Sequence, residues 1–191
     1  MKKSACRVIS KISSLPRSAA ALFLISLSKR SEVAGFELID TTDDDSRIAT
    51  GQLLEALRLA QDTAPRVYAR MQRDVRRLIL LKAGSPEFWP FANAIALKKA
   101  TVEAAEPSLL AMTLVHEATH ARLWRVGIGY PRQARQRIEH LCVNAEVTLA
   151  RNLPNASELE AIALKKLGHE WWTESAIAEM RKKAQRELSA P

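Results

Sequence analysis

The chain has 191 residues, 47% apolar and 26% charged, the make-up of a soluble globular protein with room for one domain and its own core. Two cysteines, Cys6 and Cys142, exclude a disulfide framework and fit a reducing compartment. The net charge of +8 invites a nucleic-acid or membrane reading, but seven of the 29 Lys and Arg fall in residues 1–30, which hold no Asp or Glu. Residues 31–191 therefore carry 22 bases against 21 acids. With a near-neutral body, no specific nucleic-acid partner is expected.

Residues 1–35 read as a basic, serine-rich leader containing the apolar run AAALFLISL, Ala19 to Leu27. The run is too short to span a bilayer as a helix. It has the length of a signal-peptide apolar region, and Ser26-Leu27-Ser28 resembles a cleavage site. The long basic stretch before it and Pro16 fit a plain N-terminal extension instead. A cytoplasmic location is expected, with export or membrane contact through residues 1–30 as the alternative.

Residues 36–191 read as a single domain. TTDDDSR at 41–47 is a polar loop. TGQLLEALRLAQ carries Leu53, Leu54, Leu57 and Ala60 at helical spacing, and Pro65 opens a second helix with Val67, Tyr68, Met71 and Val75 on one side. RRLILLKAG predicts a short buried strand over Arg77–Lys82, GSPEFWPFAN a loop, and Ala94–Lys98 a second strand. Glu106-Pro107 starts the longest helix, which Gly127 is placed to end. After the tight GIGYPRQ connection, Pro131 opens a helix to about Asn152. ELEAIALKKLG and TESAIAEMRKKAQREL form two more. The sum is a predominantly helical α+β domain.

The long helix carries LLAMTLVHEATHARLWRVG, in which His116, Glu117 and His120 spell H-E-x-x-H. Residues four apart stand on one helix face, so both imidazoles can reach one Zn²⁺ about 2 Å from each donor nitrogen. Glu117 is turned about 100° from His116, outside easy ligand reach but able to serve a water as general base. Leu110, Leu114, Ala118 and Ala121 mark the buried side, and Trp124 is expected to pack in the core.

A hydrolytic zinc usually takes three protein ligands and keeps one open position. Completion by a third histidine six residues on is excluded, because Val126 and Leu123 stand where that histidine and its glycine would be. The next helix, RQRIEHLCVNAEVTLARNLP, offers Glu139 and Glu146, which border a buried side of Ile138, Leu141, Cys142, Ala145 and Leu149. Seven residues apart, they stand about 10 Å apart along the helix, so one ion cannot use both. Glu139 is preferred for its closeness to the GIGYP connection. Glu146 then serves to orient a histidine or to pair with an arginine, and Cys142, His140 and His169 are further alternatives.

At these residues the chain resembles the gluzincin zinc metallopeptidases, in which H-E-x-x-H is completed by a glutamate on a following helix, and it looks like a small bacterial branch of that class. RIEHLCVNAEVTLARNLP is similar to the Glu-x-x-small helix of short regulators that cleave phage-type repressors, which favours Glu139. The resemblance spans about residues 107–154. It implies a zincin-like minimal domain with a small sheet beside the active-site helix and an edge strand that binds extended peptide, for which RRLILLKAG and ANAIALKKA are the candidates.

The expected function is zinc-dependent hydrolysis of peptide bonds in a peptide or protein substrate. His116, His120 and Glu139 would hold Zn²⁺, Glu117 would act as general base, and Tyr130, His140 or Arg132 would serve the developing oxyanion. The alternative is a zinc-bearing regulatory or sensor protein with little peptidase activity.

Overall fold

A computed structural model of the chain describes residues 17–42 and 44–168, with scattered positions beyond. His169 lies outside the described residues, and the helix expected over 173–188 lies largely outside them. Strands β1 (Lys29–Val33), β2 (Phe36–Asp40), β3 (Arg77–Leu81), β4 (Glu87–Trp89) and β5 (Ala94–Lys98) form one mixed sheet in the order β1-β2-β3-β5-β4. The three central strands run parallel, while β1 and β4 are antiparallel edges. The domain is therefore α+β, mostly helical, with a small sheet.

Parallel strands are apolar on both faces when both faces are covered. Leu38, Leu78, Leu80, Ile95 and Leu97 point into the main core, and Ile39, Ile79 and Ala94 into a smaller cluster behind it. Helices α2 (Arg47–Thr63), α3 (Pro65–Asp74), α4 (Lys99–Ala104), α5 (Pro107–Arg125), α6 (Arg135–Ala150) and α7 (Ala156–Leu167) all contribute to the main core. Helix α1 (Arg17–Leu27) lies behind the sheet and inserts Ile25 into the smaller cluster. The apolar run of the leader is this helix, with Leu22, Phe23, Leu24 and Leu27 exposed. Among the described residues no helix is long and apolar enough to cross a membrane.

Strand β1, inside the segment read as leader, hydrogen-bonds to β2 through an Ala34-Gly35 turn whose two residues have φ of +47° and +81°. That pair of left-handed residues is the turn whose twist matches a two-stranded ribbon. Tyr68 Oη donates to Ala34 O at 2.6 Å and ties α3 to the hairpin. The outer edge of β1 shows Lys29, Arg30 and Glu32 to solvent, charges that discourage pairing with another chain.

The strands expected over 77–82 and 94–98 form as β3 and β5, but neither is an edge. β3 lies between β2 and β5, and β5 between β3 and β4. The free edge beside α5 is β4, drawn from the GSPEFWPFAN stretch read as a loop. Helix α5 ends in a Schellman arrangement: Ile128 N–H reaches Leu123 O at 2.8 Å, and Gly127 N–H reaches Trp124 O at 3.0 Å. Gly127 takes φ +81°, which turns the chain back toward α6. Pro131 does not open α6 directly. Its ψ of 145° is extended, a 3₁₀ turn follows over Arg132–Ala134, and α6 starts at Arg135.

Candidate metal centre

Helices α5 and α6 pack side by side, and the polar side chains of the site lie in the seam between them. His116 and Glu117 are each only 7% exposed, and Glu139 and Glu146 are 1% and 0% exposed. The glutamates do not border the buried side of α6; they are inside it, with Ile138, Cys142, Val143, Val147 and Leu149. Leu141, expected on that side, is 45% exposed. The apolar face of α6 is rotated toward α5 and α7 together, which the pattern of a helix packed on two neighbours does not disclose.

Glu139 faces both histidines. Its Oε2 lies 3.2 Å from His116 Nε2, and its Oε1 lies 3.6 Å from His120 Nε2. Donor atoms 2.0–2.1 Å from a tetrahedral ion stand about 3.3 Å from one another. Glu139 Oε2 is also buried with no hydrogen-bond partner. His116 Nδ1 sits 2.6 Å from Glu146 Oε1, and a carboxylate only accepts, so a proton is on Nδ1 and Nε2 is the nitrogen turned toward Glu139. A buried carboxylate facing this nitrogen calls for a positive charge between them, which a second proton on His116 supplies in the metal-free chain and a metal ion could supply in its place. His116, His120 and Glu139, with Cys142, form a buried group whose donor atoms lie within 4.8 Å of one another, and this group can bind a metal ion.

Burial and the facing carboxylates set the electrostatics of the site. Burial lowers the affinity of His116 for a second proton, but the facing carboxylates of Glu139 and Glu146 outweigh it and raise the pKa to about 9. Burial lowers that of His120 to about 4, leaving a neutral ring. Glu139 is pushed up by burial yet ends below the usual carboxylate range, because His116, His120 and Tyr130 hold its negative charge. Burial drives the Cys142 thiol upward, further helped by the nearby glutamates, so only a cation would draw off its proton.

Glu146 does not face the His120 ring; it backs His116. Its Oε1 takes the Nδ1 contact, and its Oε2 accepts from Lys166 Nζ of α7 at 2.5 Å. A carboxylate on the far nitrogen of a metal-binding histidine fixes both tautomer and ring orientation. The partner is thus a lysine where an arginine had been the candidate.

Glu117 turns the other way, toward the sheet. Its Oε2 accepts the backbone N–H of Phe88 in β4 at 2.9 Å, and burial raises its pKa to about 7. Tyr130 closes the other side: its hydroxyl donates to Glu139 Oε1 and its ring meets that of His120 edge-on at 5.4 Å. The Arg135 guanidinium lies 5.2 Å from the centre of the Tyr130 ring. Burial, then Glu139, pushes the Tyr130 hydroxyl upward, so it stays a donor. Of the other oxyanion candidates, Arg132 is exposed on the 3₁₀ turn and His140 is half-buried on α6. Trp124 does not enter the core; it is 52% exposed, 3.9 Å from where a Cβ on Gly129 would stand.

Sequence reasoning missed Lys166, the Tyr130–Glu139 hydrogen bond and the β4 tether on Glu117. The first two could have been sought among polar residues on the elements flanking the second helix, whereas nothing local in EFW signals a strand. Comparison with protein-family models, with curated proteins and with solved structures finds no match.

Proposed function

We propose that this chain is a zinc-dependent metallopeptidase of gluzincin type, built on a zincin-like frame. The observation that carries the reading is the convergence of His116 Nε2, His120 Nε2 and the Glu139 carboxylate at 3.2 and 3.6 Å, with a buried glutamate next to the first histidine. The frame supports it: a mixed sheet lies beside the H-E-x-x-H helix, with an antiparallel edge strand reaching the site.

His116, His120 and Glu139 would hold Zn²⁺, which when bound would supply Lewis-acid chemistry for the scissile carbonyl and its attacking water. Glu117 takes the proton from the attacking water and passes it to the leaving amine. Its buried carboxylate exchanges a proton near neutrality, as that double role needs. Tyr130, whose hydroxyl lies at the metal-facing carboxylate, would serve the developing oxyanion by turning its one proton from Glu139 to it. An extended peptide would add along the outer edge of β4, where it would take the Phe88 N–H from Glu117 and release that carboxylate to the water.

The test is a screen of peptides and unfolded proteins with zinc-loaded chain and a Glu117→Gln control. Cleavage by the wild type, with zinc retained and cleavage lost in Glu117→Gln, is expected. Equal cleavage by both would end the proposal.

A second reading has its own support in Cys142, which lies within the donor group. Four protein ligands close a zinc site, as in structural or regulatory proteins. Cobalt substitution separates the two: an intense sulfur-to-metal absorption band lost in Cys142→Ser favours the closed site, and its absence favours the open one.

A further inference from the structure

We infer that Lys166 is a positioning residue for the metal site, acting through Glu146 on His116; the inference rests on the reading of His116 as a metal ligand. Glu146 is fully buried, and its two oxygens have separate donors. Oε1 holds His116 Nδ1 at 2.6 Å, and Oε2 holds Lys166 Nζ at 2.5 Å. A carboxylate with one oxygen pinned by an ammonium has one direction left for the other. The His116 ring is thereby held by its far nitrogen and presents Nε2 toward Glu139 and His120. Lys166 enters from the last turn of α7 with its side chain 37% exposed, so a solvent-facing residue on a third helix ends a chain that begins at the ligand.

A purely structural lysine, present only to neutralise a buried acid, would make the same contacts. The two roles differ in what its loss changes. Lys166 is not the sole anchor of α7: Leu159 and Ala163 are buried in the main core, and a separate Arg151–Glu160 pair at 2.6 Å ties the helix to the residue that follows α6. Removing the ammonium leaves Glu146 Oε2 without its donor and free to turn. The carboxylate then no longer holds the imidazole in one orientation.

The experiment uses the full chain as wild type, Lys166→Met, Lys166→Arg and Glu160→Ala. Zinc affinity is measured by competition with a chromophoric chelator, the His116 Nδ1–H resonance by proton NMR, and thermal unfolding without metal. Lys166→Met is expected to weaken zinc binding about tenfold, the low end for loss of a group that orients a ligand, and to lose the protected Nδ1–H resonance. Lys166→Arg should restore both, and Glu160→Ala should change neither. If Lys166→Met fails to fold, Lys166→Gln, with a neutral donor, is read in its place and should fall between the wild type and the tenfold loss. A variant that unfolds earlier but keeps wild-type zinc affinity and the Nδ1–H resonance would overturn the inference while leaving the peptidase reading standing. A wild-type chain that binds no zinc would overturn both, whereas zinc binding with no cleavage overturns only the peptidase.

Discussion

Glu117→Gln should make the metal-free protein more stable, and only above mildly acidic pH. The carboxyl of Glu117 is buried, and burial raises its pKa from 4.5 to about 7. The folded chain therefore binds this proton more tightly than the unfolded chain, and stability falls as pH rises between those values. Each pH unit in that interval is worth about 1.4 kcal/mol, so the cost grows from nothing below pH 4.5 to about 3 kcal/mol above pH 7. Glutamine keeps an oxygen for the Phe88 N–H but buries an amide group, which costs about 1 kcal/mol. A net gain of about 2 kcal/mol remains, or about 4–8 °C in unfolding temperature for a chain of this size. The assay is thermal unfolding of both proteins in chelator at pH 5 and pH 8. Equal stability at pH 8, or the same gap at both values, would refute the placement of Glu117 as a strained buried base.

Zinc binding should weaken as pH falls. His116, raised to about 9, holds a second proton that must leave before its Nε2 can bind the ion. Affinity therefore rises through neutrality toward pH 9, which chelator competition at pH 6, 7 and 8 would read; a flat profile contradicts the ligand assignment. Leu78→Ala in β3, at a fully buried position, should cost about 2–5 kcal/mol in a urea titration. A loss under 1 kcal/mol would refute the placement of β3 at the centre of the sheet. Gly35→Ala meets a left-handed φ of +81° and puts a methyl 2.7 Å from the flexible end of Gln72. A loss of about 1 kcal/mol is expected, mostly from the backbone, and a more stable variant would refute the turn.

What could be read without coordinates follows a physical line. His116, Glu117 and His120 sit on one helix whose caps and apolar spacing are local, so their relation was legible from spacing alone. The choice between Glu139 and Glu146 depended on how α6 rolls against two neighbours, and the structure puts the first toward the Nε2 atoms and the second behind Nδ1. Lys166 lies twenty residues from its partner on a helix whose polar pattern looks like any solvent face. Strand β1 hid in a basic segment, and three-residue β4 is too short for a period of two to register. Trp124 and Leu141 show the same limit from the other side: apolar residues at plausible spacing that remain half exposed.

In the proposed site two histidines of α5 and one glutamate of α6 hold the metal. Zinc content of the purified chain, dialysed against buffered zinc, tests this most directly when wild type is compared with Glu139→Ala at pH 8. One equivalent is expected in the wild type and essentially none in Glu139→Ala. A wild type without zinc, or a Glu139→Ala chain that holds a full equivalent at wild-type affinity, would contradict it.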